Sequence, residues 1–404
     1  MSTRGFDRQS ADEEQGIRRR DLLKTVTAAA AGLITVKAAS EGMALAAQET
    51  PQKAQPAPAA AKSPLKYADV MKKAREMLYP FCRVCPECDG VACAGEVPGF
   101  GGVQSGSSFK NNYNSLAKIN LKLKTFHDVK KPDMSVNFCG QKLAIPILGA
   151  PTAGTKYNMG TKLTEEQFIS AVLGGCLAAG TLGSMGDGVA EGEDIYRERM
   201  KILTSFRGKS FCVVKPRLQD EMIKRIRMVE EAGGLVVGVD VDAAGRVARV
   251  TIPGQTVEPK TSEQLAELVK ATKLPFIIKG IMTKEEAIMA LDTGAAGIVV
   301  SNHGGRVLDH TKGVAEVLPE IADAVKGKMF ILADGGVRYG GYVLKMLALG
   351  ANAVLVGRPV IRGAYGGEKE GVAVILKKMQ VELESAMVLT GTARMADVNR
   401  SILA

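Results

Sequence analysis

The sequence predicts an α/β fold of the (β/α)8 class, a TIM barrel, for residues 141–404, with an N-terminal extension before it. After residue 145, short apolar runs alternate with stretches of helical periodicity. Nearly every apolar run also ends in polar or glycine residues. Parallel strands buried on both faces read as continuous apolar runs, and eight strand–helix units in about 250 residues fit a barrel better than an open sheet.

Eight apolar runs supply the predicted strands, and amphipathic stretches between them supply helices. Glycine or asparagine follows several of these stretches and suits a helix C-cap. The predicted strands are Ile145–Pro151, Gly180–Met185, Ser210–Pro216, Leu235–Val241, Pro275–Ile281, Gly297–His303, Met329–Gly335 and Ala353–Pro359. The clearest helices are Gln219–Ala232, Ser262–Thr272, Lys284–Thr293 and Tyr342–Leu349.

Composition argues against one class of partner. The chain has 404 residues and a formal charge of +10, but its Lys and Arg residues are spread along the sequence rather than clustered with aromatic residues. This pattern predicts no nucleic-acid binding. A basic surface is instead suited to attracting an anionic substrate.

The first 64 residues are expected to lie outside the barrel. Residues 1–46 combine Arg18-Arg19-Arg20, an apolar run from Val26 to Val36 and the small residues Ala44-Leu45-Ala46, the order of an export signal of the twin-arginine kind. An amphipathic or disordered leader, or an uncleaved anchor, remains the alternative. Residues 47–64 read as a flexible linker. We therefore expect a periplasmic or membrane-associated protein, or a cytoplasmic one if the leader is not functional.

Polar residues at the predicted strand ends indicate an active site, because a barrel carries its site at the carboxyl ends of its strands. His303, one of only three histidines, ends the sixth apolar run and is the candidate general base. Asp242 either orients His303 or caps a loop. Asp334-Gly335-Gly336 and Gly357-Arg358 follow the last two strands and predict a phosphate site.

Several motifs in order resemble the FMN-dependent 2-hydroxy-acid oxidase and dehydrogenase family, which includes glycolate oxidase and flavin-linked lactate dehydrogenases. They are Lys279-Gly280-Ile281, Ser301-Asn302-His303-Gly304-Gly305-Arg306-Val307-Leu308-Asp309, Asp334-Gly335-Gly336-Val337-Arg338 and Gly357-Arg358-Pro359. The similarity runs from about His127 to Thr390. It implies FMN as cofactor, a small 2-hydroxy acid as substrate, an electron acceptor that the sequence does not identify, and a homotetramer.

The resemblance also implies residue roles. Lys279 should lie near the flavin N1–O2 edge, His303 should be the base, Asp242 should orient it, and Arg306 should bind the substrate carboxylate. Ser301 should contact the flavin ring. The full set of expected FMN-binding residues is Pro151, Thr152, Ala153, Lys279, Ser301, His303, Gly304, Asp334, Gly336, Arg338, Gly357 and Arg358.

Three substrate contacts of the family have no clear counterpart. The third strand carries Cys212 where the family has a tyrosine, a second arginine is not assignable to Arg246 or Arg249, and the N-terminal tyrosine region falls near Tyr79–Cys82. Two alternatives therefore stay open. One is an FMN barrel with a different substrate or non-redox chemistry, similar to type 2 isopentenyl-diphosphate isomerases. The other is an electron-transfer flavoprotein.

The extension, residues 65–140, contains a cysteine motif made of Cys82, Cys85, Cys88 and Cys93. Four thiolates at this close Cys-x2-Cys-x2-Cys-x4-Cys spacing indicate an iron–sulfur cluster, although the last gap is one residue longer than in a ferredoxin run. A zinc site and disulfides are the competing interpretations. We expect this motif to lie near the flavin, because the family brings an N-terminal residue to the active site there.

Overall fold

The computed structural model describes residues 64–188, 193–245 and 257–404. The predicted export signal, all but the last residue of the linker, and both Arg246 and Arg249 lie outside these described residues. Within them, no helix is long and apolar enough to cross a membrane.

The predicted TIM barrel is confirmed. After a short antiparallel hairpin of two strands, eight parallel strands follow one another around the sheet in chain order. The ring closes where the Gly149 N–H donates to the Leu182 carbonyl at 2.9 Å and Thr152 bridges to Met185. The hairpin strands are β1 Val136–Phe138 and β2 Gln141–Leu143, and the barrel strands are β3 Ile147–Gly149, β4 Gly183–Gly186, β5 Ser210–Val214, β6 Val236–Asp240, β7 Phe276–Ile281, β8 Gly297–Val300, β9 Phe330–Ala333 and β10 Ala353–Val356.

Side chains along each barrel strand point alternately into two apolar layers. In β5, Phe211 and Val213 belong to an inner cluster, whereas Cys212 and Val214 belong to the layer between strands and helices. The hairpin adds Phe138 to the inner cluster, and its ring lies 5.7 Å from that of Phe211. Both faces of every strand are thus covered, which explains the continuous apolar runs of the sequence.

The helices surround the strands, and two of them begin with a Thr–Gln capping box, at Thr164 and Thr261. A last, long helical segment is interrupted at Gly367 and Glu368. The described helices are α1 Tyr67–Leu78, α2 Ser107–Lys118, α3 Thr155–Asn158, α4 Glu165–Ala178, α5 Glu193–Thr204, α6 Gln219–Glu231, α7 Ser262–Lys270, α8 Lys284–Asp292, α9 Val314–Val325, α10 Gly340–Leu349 and α11 Arg358–Leu389, with short 3₁₀ turns at Val241–Gly245, Met395–Asp397 and Arg400–Ile402.

The N-terminal extension packs on the barrel at two places. Helix α1 lies against α11 so closely that a Cβ at Gly366 would stand 2.2 Å from the Val70 carbonyl. Helix α2 presses on the loop after β9, where a Cβ at Gly336 would stand 2.2 Å from the Asn112 carbonyl. The extension therefore forms one wall at the carboxyl end of the barrel.

Candidate active site

A cavity of about 150 Å³ opens at the carboxyl ends of the barrel strands. Eleven of the twelve residues expected to bind FMN line it: Pro151, Thr152, Ala153, Lys279, His303, Gly304, Asp334, Gly336, Arg338, Gly357 and Arg358. The remaining one, Ser301, is fully buried below the wall, where its hydroxyl donates to Asp334 and accepts from the His303 N–H. Ser301 thus supports the wall from below, and its contact with the flavin ring stays a prediction.

Two carboxylates flank one ring nitrogen of His303. Its Nδ1 lies 3.0 Å from Asp242 Oδ1 and 3.4 Å from Asp240 Oδ2. Ionised carboxylates only accept hydrogen bonds, so Nδ1 must carry the proton in this arrangement. The other nitrogen, Nε2, is then left with a lone pair, and His303 lines the cavity. Asp242 is therefore placed to orient the candidate base.

The backbone around His303 adopts an uncommon conformation. His303, Gly304 and Gly305 have φ values of +57°, +65° and +78°. A non-glycine residue in this region costs on the order of 1–3 kcal/mol and is found at functional sites. A Cβ at Gly305 would stand 2.4 Å from the Phe109 nitrogen, so only glycine fits there. The extension packs against this loop and thus helps to fix the conformation of His303.

Asp240 is the centre of a charged group beneath the cavity. Its two oxygens accept from Lys215 Nζ at 2.6 Å and Lys279 Nζ at 2.8 Å. Burial alone would raise the pKa of Asp240, but His303 and the two lysines hold it well below its usual range. Burial likewise opposes the charge of Lys279, whose pKa is nevertheless raised by Asp240, Asp242 and Asp334.

This group is unsuited to a metal ion. Asp240, Asp242 and His303 do bring three potential ligand atoms within 4.8 Å of one another. Two lysine ammonium groups already neutralise Asp240, and a divalent cation beside them would meet repulsion. The arrangement is better suited to holding a substrate and moving its proton.

The opposite end of the cavity is arranged for an anion. Gly335 and Gly336, with φ of +83° and +80°, bring the backbone close to the cavity, and Arg338 and Arg358 line it. Buried Asp334 Oδ1 and Arg338 Nη2 have no hydrogen-bond partner. Buried polar atoms are normally paired, so a bound group is expected to complete them. The hydroxyls and phosphate of FMN supply such donors and acceptors.

Arg306 lines the cavity where the extension meets it. Its guanidinium donates to the Gly99 carbonyl and, at 2.8 Å, to Asn158 Oδ1. Gly99, Phe100 and Asn158 line the same cavity, although nothing in the sequence marked them. Gly99 and Phe100 come from the extension and Asn158 from the end of α3, outside the apolar runs, and no local pattern predicts such contacts.

Two of the family positions without a clear counterpart lie away from the cavity. Cys212 does not line the cavity, because its side chain points to the outer layer and meets the Tyr196 hydroxyl at 3.7 Å. Lys215, three residues later, is the residue of this segment on the cavity wall. Tyr79 is 65% exposed, and the extension contributes Gly99 and Phe100 instead. The sequence signal for Lys215 was its position at the polar end of the third predicted strand.

The cysteine motif lies beside this cavity. Its four residues line a second cavity of about 20 Å³, and Phe100 and Arg358 line both. All seven cysteines are free thiols, so the disulfides considered from the sequence do not form.

The arginines around the motif change the acidity of one thiol. Burial opposes ionisation of Cys88, but Arg338, Arg362 and Arg358 lower its pKa to about 7. Burial in turn lowers the pKa of Arg358 to about 10.

The eight-stranded barrel and its anion-binding end define a TIM barrel suited to a phosphorylated ligand. The family model described as FMN-dependent dehydrogenase matches residues 100–263 and 251–404, and the chain belongs to this family. The resemblance found in the sequence is therefore confirmed, and so is FMN as the cofactor.

Individual relatives agree with this assignment. The chain is 33% identical over 336 residues to 2-hydroxyacid oxidase 2 of Bos taurus, covering 75% of this chain and 91% of the relative. It is 49% identical over 143 residues to the 2-hydroxyacid oxidase of Dictyostelium discoideum, covering 35% of this chain and 37% of the relative. A solved structure of mandelate oxidase with benzoyl-formic acid superposes with a TM-score of 0.68 at 27% identity, covering 85% and 98% of the two chains.

Proposed function

We propose that the protein oxidises a 2-hydroxy acid to the corresponding 2-oxo acid, with His303 as the base. Bound FMN supplies the hydride acceptor at N5. The observation that carries the proposal is the fixed His303 ring, whose Nδ1 faces two carboxylates while the residue lines the same cavity as Arg306.

The proton transfer follows from this geometry. Nε2 of His303 takes the proton of the substrate hydroxyl as the hydride leaves the adjacent carbon. The resulting imidazolium is stabilised by Asp242 and Asp240 at Nδ1. Because both carboxylates are in place before the reaction, little reorganisation is needed when the charge appears.

Positive groups position the substrate. Arg306 and Lys215 both line the cavity and suit the carboxylate of a 2-hydroxy acid. Lys279 holds positive charge at the cavity wall and stabilises negative charge that develops on the cofactor ring. A neutral substrate gains nothing from these cations, which argues for an acid.

A matched pair of histidine variants tests the proposal. His303 and His310 lie in the same loop and have φ values of +57° and +61°, a region that asparagine tolerates. We expect His303→Asn to keep yellow bound flavin but to lose at least about a hundredfold in anaerobic flavin reduction, the usual contribution of a general base. His310→Asn changes an exposed side chain and should reduce flavin at the wild-type rate.

The measurement is anaerobic bleaching of the flavin with a panel of 2-hydroxy acids of different side chains. Bleaching of the wild type by at least one acid supports the oxidation, and the fastest acid defines the substrate class. If no acid bleaches the flavin, the proposed reaction is wrong. If His303→Asn is reduced as fast as His310→Asn, the reaction stands but the base is another residue.

A further inference from the structure

The four residues of the cysteine motif surround one small cavity. All four line it, and none forms a disulfide. Their segment precedes residue 100, where the match to the family model begins. The proposed oxidation uses none of these thiols.

The positions of the sulfur atoms argue against a single zinc ion. A tetrahedral zinc with Zn–S bonds of about 2.3 Å holds its sulfurs about 3.8 Å apart. Among the described residues, which include the whole motif, three potential ligand atoms come within 4.8 Å of one another only at Asp240, Asp242 and His303. The thiols thus share a cavity but stand wider than one zinc requires. A cubane cluster separates its ligands more, because irons and sulfides lie between them.

The backbone of the motif is shaped around its first sulfur. Val84, inside the first Cys-x2-Cys step, has φ of +47°, and its N–H donates to Cys82 Sγ at 3.4 Å. Hydrogen bonds to ligand sulfurs are one of the means by which proteins stabilise iron–sulfur clusters and set their potential. Cys82 itself is buried, with 5% of its surface exposed.

Arginines give the cavity a positive wall. Arg358 and Arg362 line it, and Arg362 Nη2 lies 3.8 Å from Cys82 Sγ. Arg338 Nε donates to the Cys88 carbonyl at 3.1 Å. A cluster with four thiolate ligands is an anion, so these cations compensate its charge and favour its reduced form. The rings of Phe100 and Phe109 complete an apolar lining.

We propose that the cysteine motif holds a [4Fe–4S] cluster that receives electrons from the reduced flavin. Phe100 and Arg358 line both the cluster cavity and the FMN cavity, so one layer of side chains separates them. Reoxidation of the flavin removes two electrons. The cluster accepts them singly, in two successive transfers, and passes each to a one-electron acceptor outside the protein, while the protons leave to water.

Metal analysis of the full chain, purified without oxygen, tests the site. We expect about four iron and about four acid-labile sulfide per chain, and an electron paramagnetic resonance signal after reduction with dithionite. Stoichiometric zinc without sulfide would overturn the proposal. So would a metal-free protein, whether its thiols are free or paired as disulfides by mass spectrometry.

Two cysteine variants tie the cluster to the motif. Cys85→Ser removes a motif thiol, and Cys139→Ser removes a half-buried free thiol from the hairpin turn. We expect Cys85→Ser to lose most of its iron and sulfide and Cys139→Ser to keep both, with bound flavin in each showing that the barrel is folded. Equal loss or equal retention in the two variants would contradict the assignment.

Electron transfer is tested in the same anaerobic sample. Reduction of the flavin, by the 2-hydroxy acid or by light with EDTA where the acid fails, should bring up the signal of the reduced cluster. If the flavin is reduced while the cluster signal appears only with dithionite, the electron-transfer role is wrong. Reduction by light does not depend on the 2-hydroxy acid. A failure of electron transfer can therefore be distinguished from a failure of the proposed oxidation.

Discussion

Replacing Asp242 by asparagine is the sharpest test of how the imidazolium of His303 is stabilised. The substitution keeps the size of the side chain and an oxygen that accepts from Nδ1, but removes one negative charge. A Cβ at Gly280 would stand 2.8 Å from the Asp242 Cβ, so the backbone of β7 packs closely against this side chain. The variant therefore changes the charge while the geometry stays.

The structure sets an upper limit on the effect. A carboxylate 3.0 Å from the imidazolium contributes about 5.5 kcal/mol at an effective dielectric constant of about 20. That is about four factors of ten in rate. Asp240 remains 3.4 Å away, although its charge is shared with two lysines, so part of the stabilisation persists. We expect flavin reduction to slow by about a hundred- to ten-thousandfold.

Anaerobic rapid mixing at saturating acid measures this rate directly. Substrate affinity should change little, because the charges that suit the substrate carboxylate are on Arg306 and Lys215. Asp323→Asn, an exposed aspartate paired with Arg400, is the control for loss of a charge elsewhere. If Asp242→Asn with bound flavin is reduced within about threefold of the wild-type rate, the carboxylate does not stabilise the imidazolium as argued.

Two further predictions concern buried carboxylates that stabilise the fold. Asp187 is fully buried and accepts two hydrogen bonds of 3.0 Å from Arg217. Asp187→Asn should therefore lower the free energy of unfolding, measured in urea, by about 3–5 kcal/mol. A loss below about 1 kcal/mol would contradict a stabilising ion pair. Asp309 accepts hydrogen bonds from Ser105, Ser108 and His310, which outweigh burial and lower its pKa to about 2. Its unfolded pKa is about 3.9, so its stabilisation is complete above that pH and is lost as the pH falls towards 2. Urea midpoints between about pH 2 and 5 should fall less steeply for Asp309→Asn than for the wild type, and equal slopes would refute the assignment.

The barrel was readable from the sequence because its strands are buried on both faces. Every predicted apolar run contains or overlaps a strand, as with Ser210–Pro216 and the observed Ser210–Val214. Three of the runs extend past the end of their strand, because Pro151, Pro216 and Pro359 are apolar but lie after the last strand residue. Apolar character alone does not distinguish a strand residue from a turn proline.

Site residues could be predicted from the sequence only where they lie at a strand end. Lys279, His303 and Asp334 lie at or near the carboxyl ends of apolar runs, and all three line one cavity. The side that Cys212 faces was not readable, because alternate strand residues face opposite layers and an apolar run does not show which of them face the cavity. Gly99, Phe100 and Asn158 reach the cavity through tertiary packing, for which the local sequence carries no signal.

The contribution of the extension explains why those residues matter. The Val103 N–H donates to the Gly305 carbonyl at 2.9 Å, and Asp309 binds Ser105 and Ser108. These bonds fix the loop whose strained residue is His303, and their combined stabilisation, about 1 kcal/mol each, is enough to offset a strain on the order of 1–3 kcal/mol. The same extension carries the cysteine motif and places it against Arg358. One segment therefore positions the base of the proposed oxidation and connects the cofactor cavity to the proposed cluster.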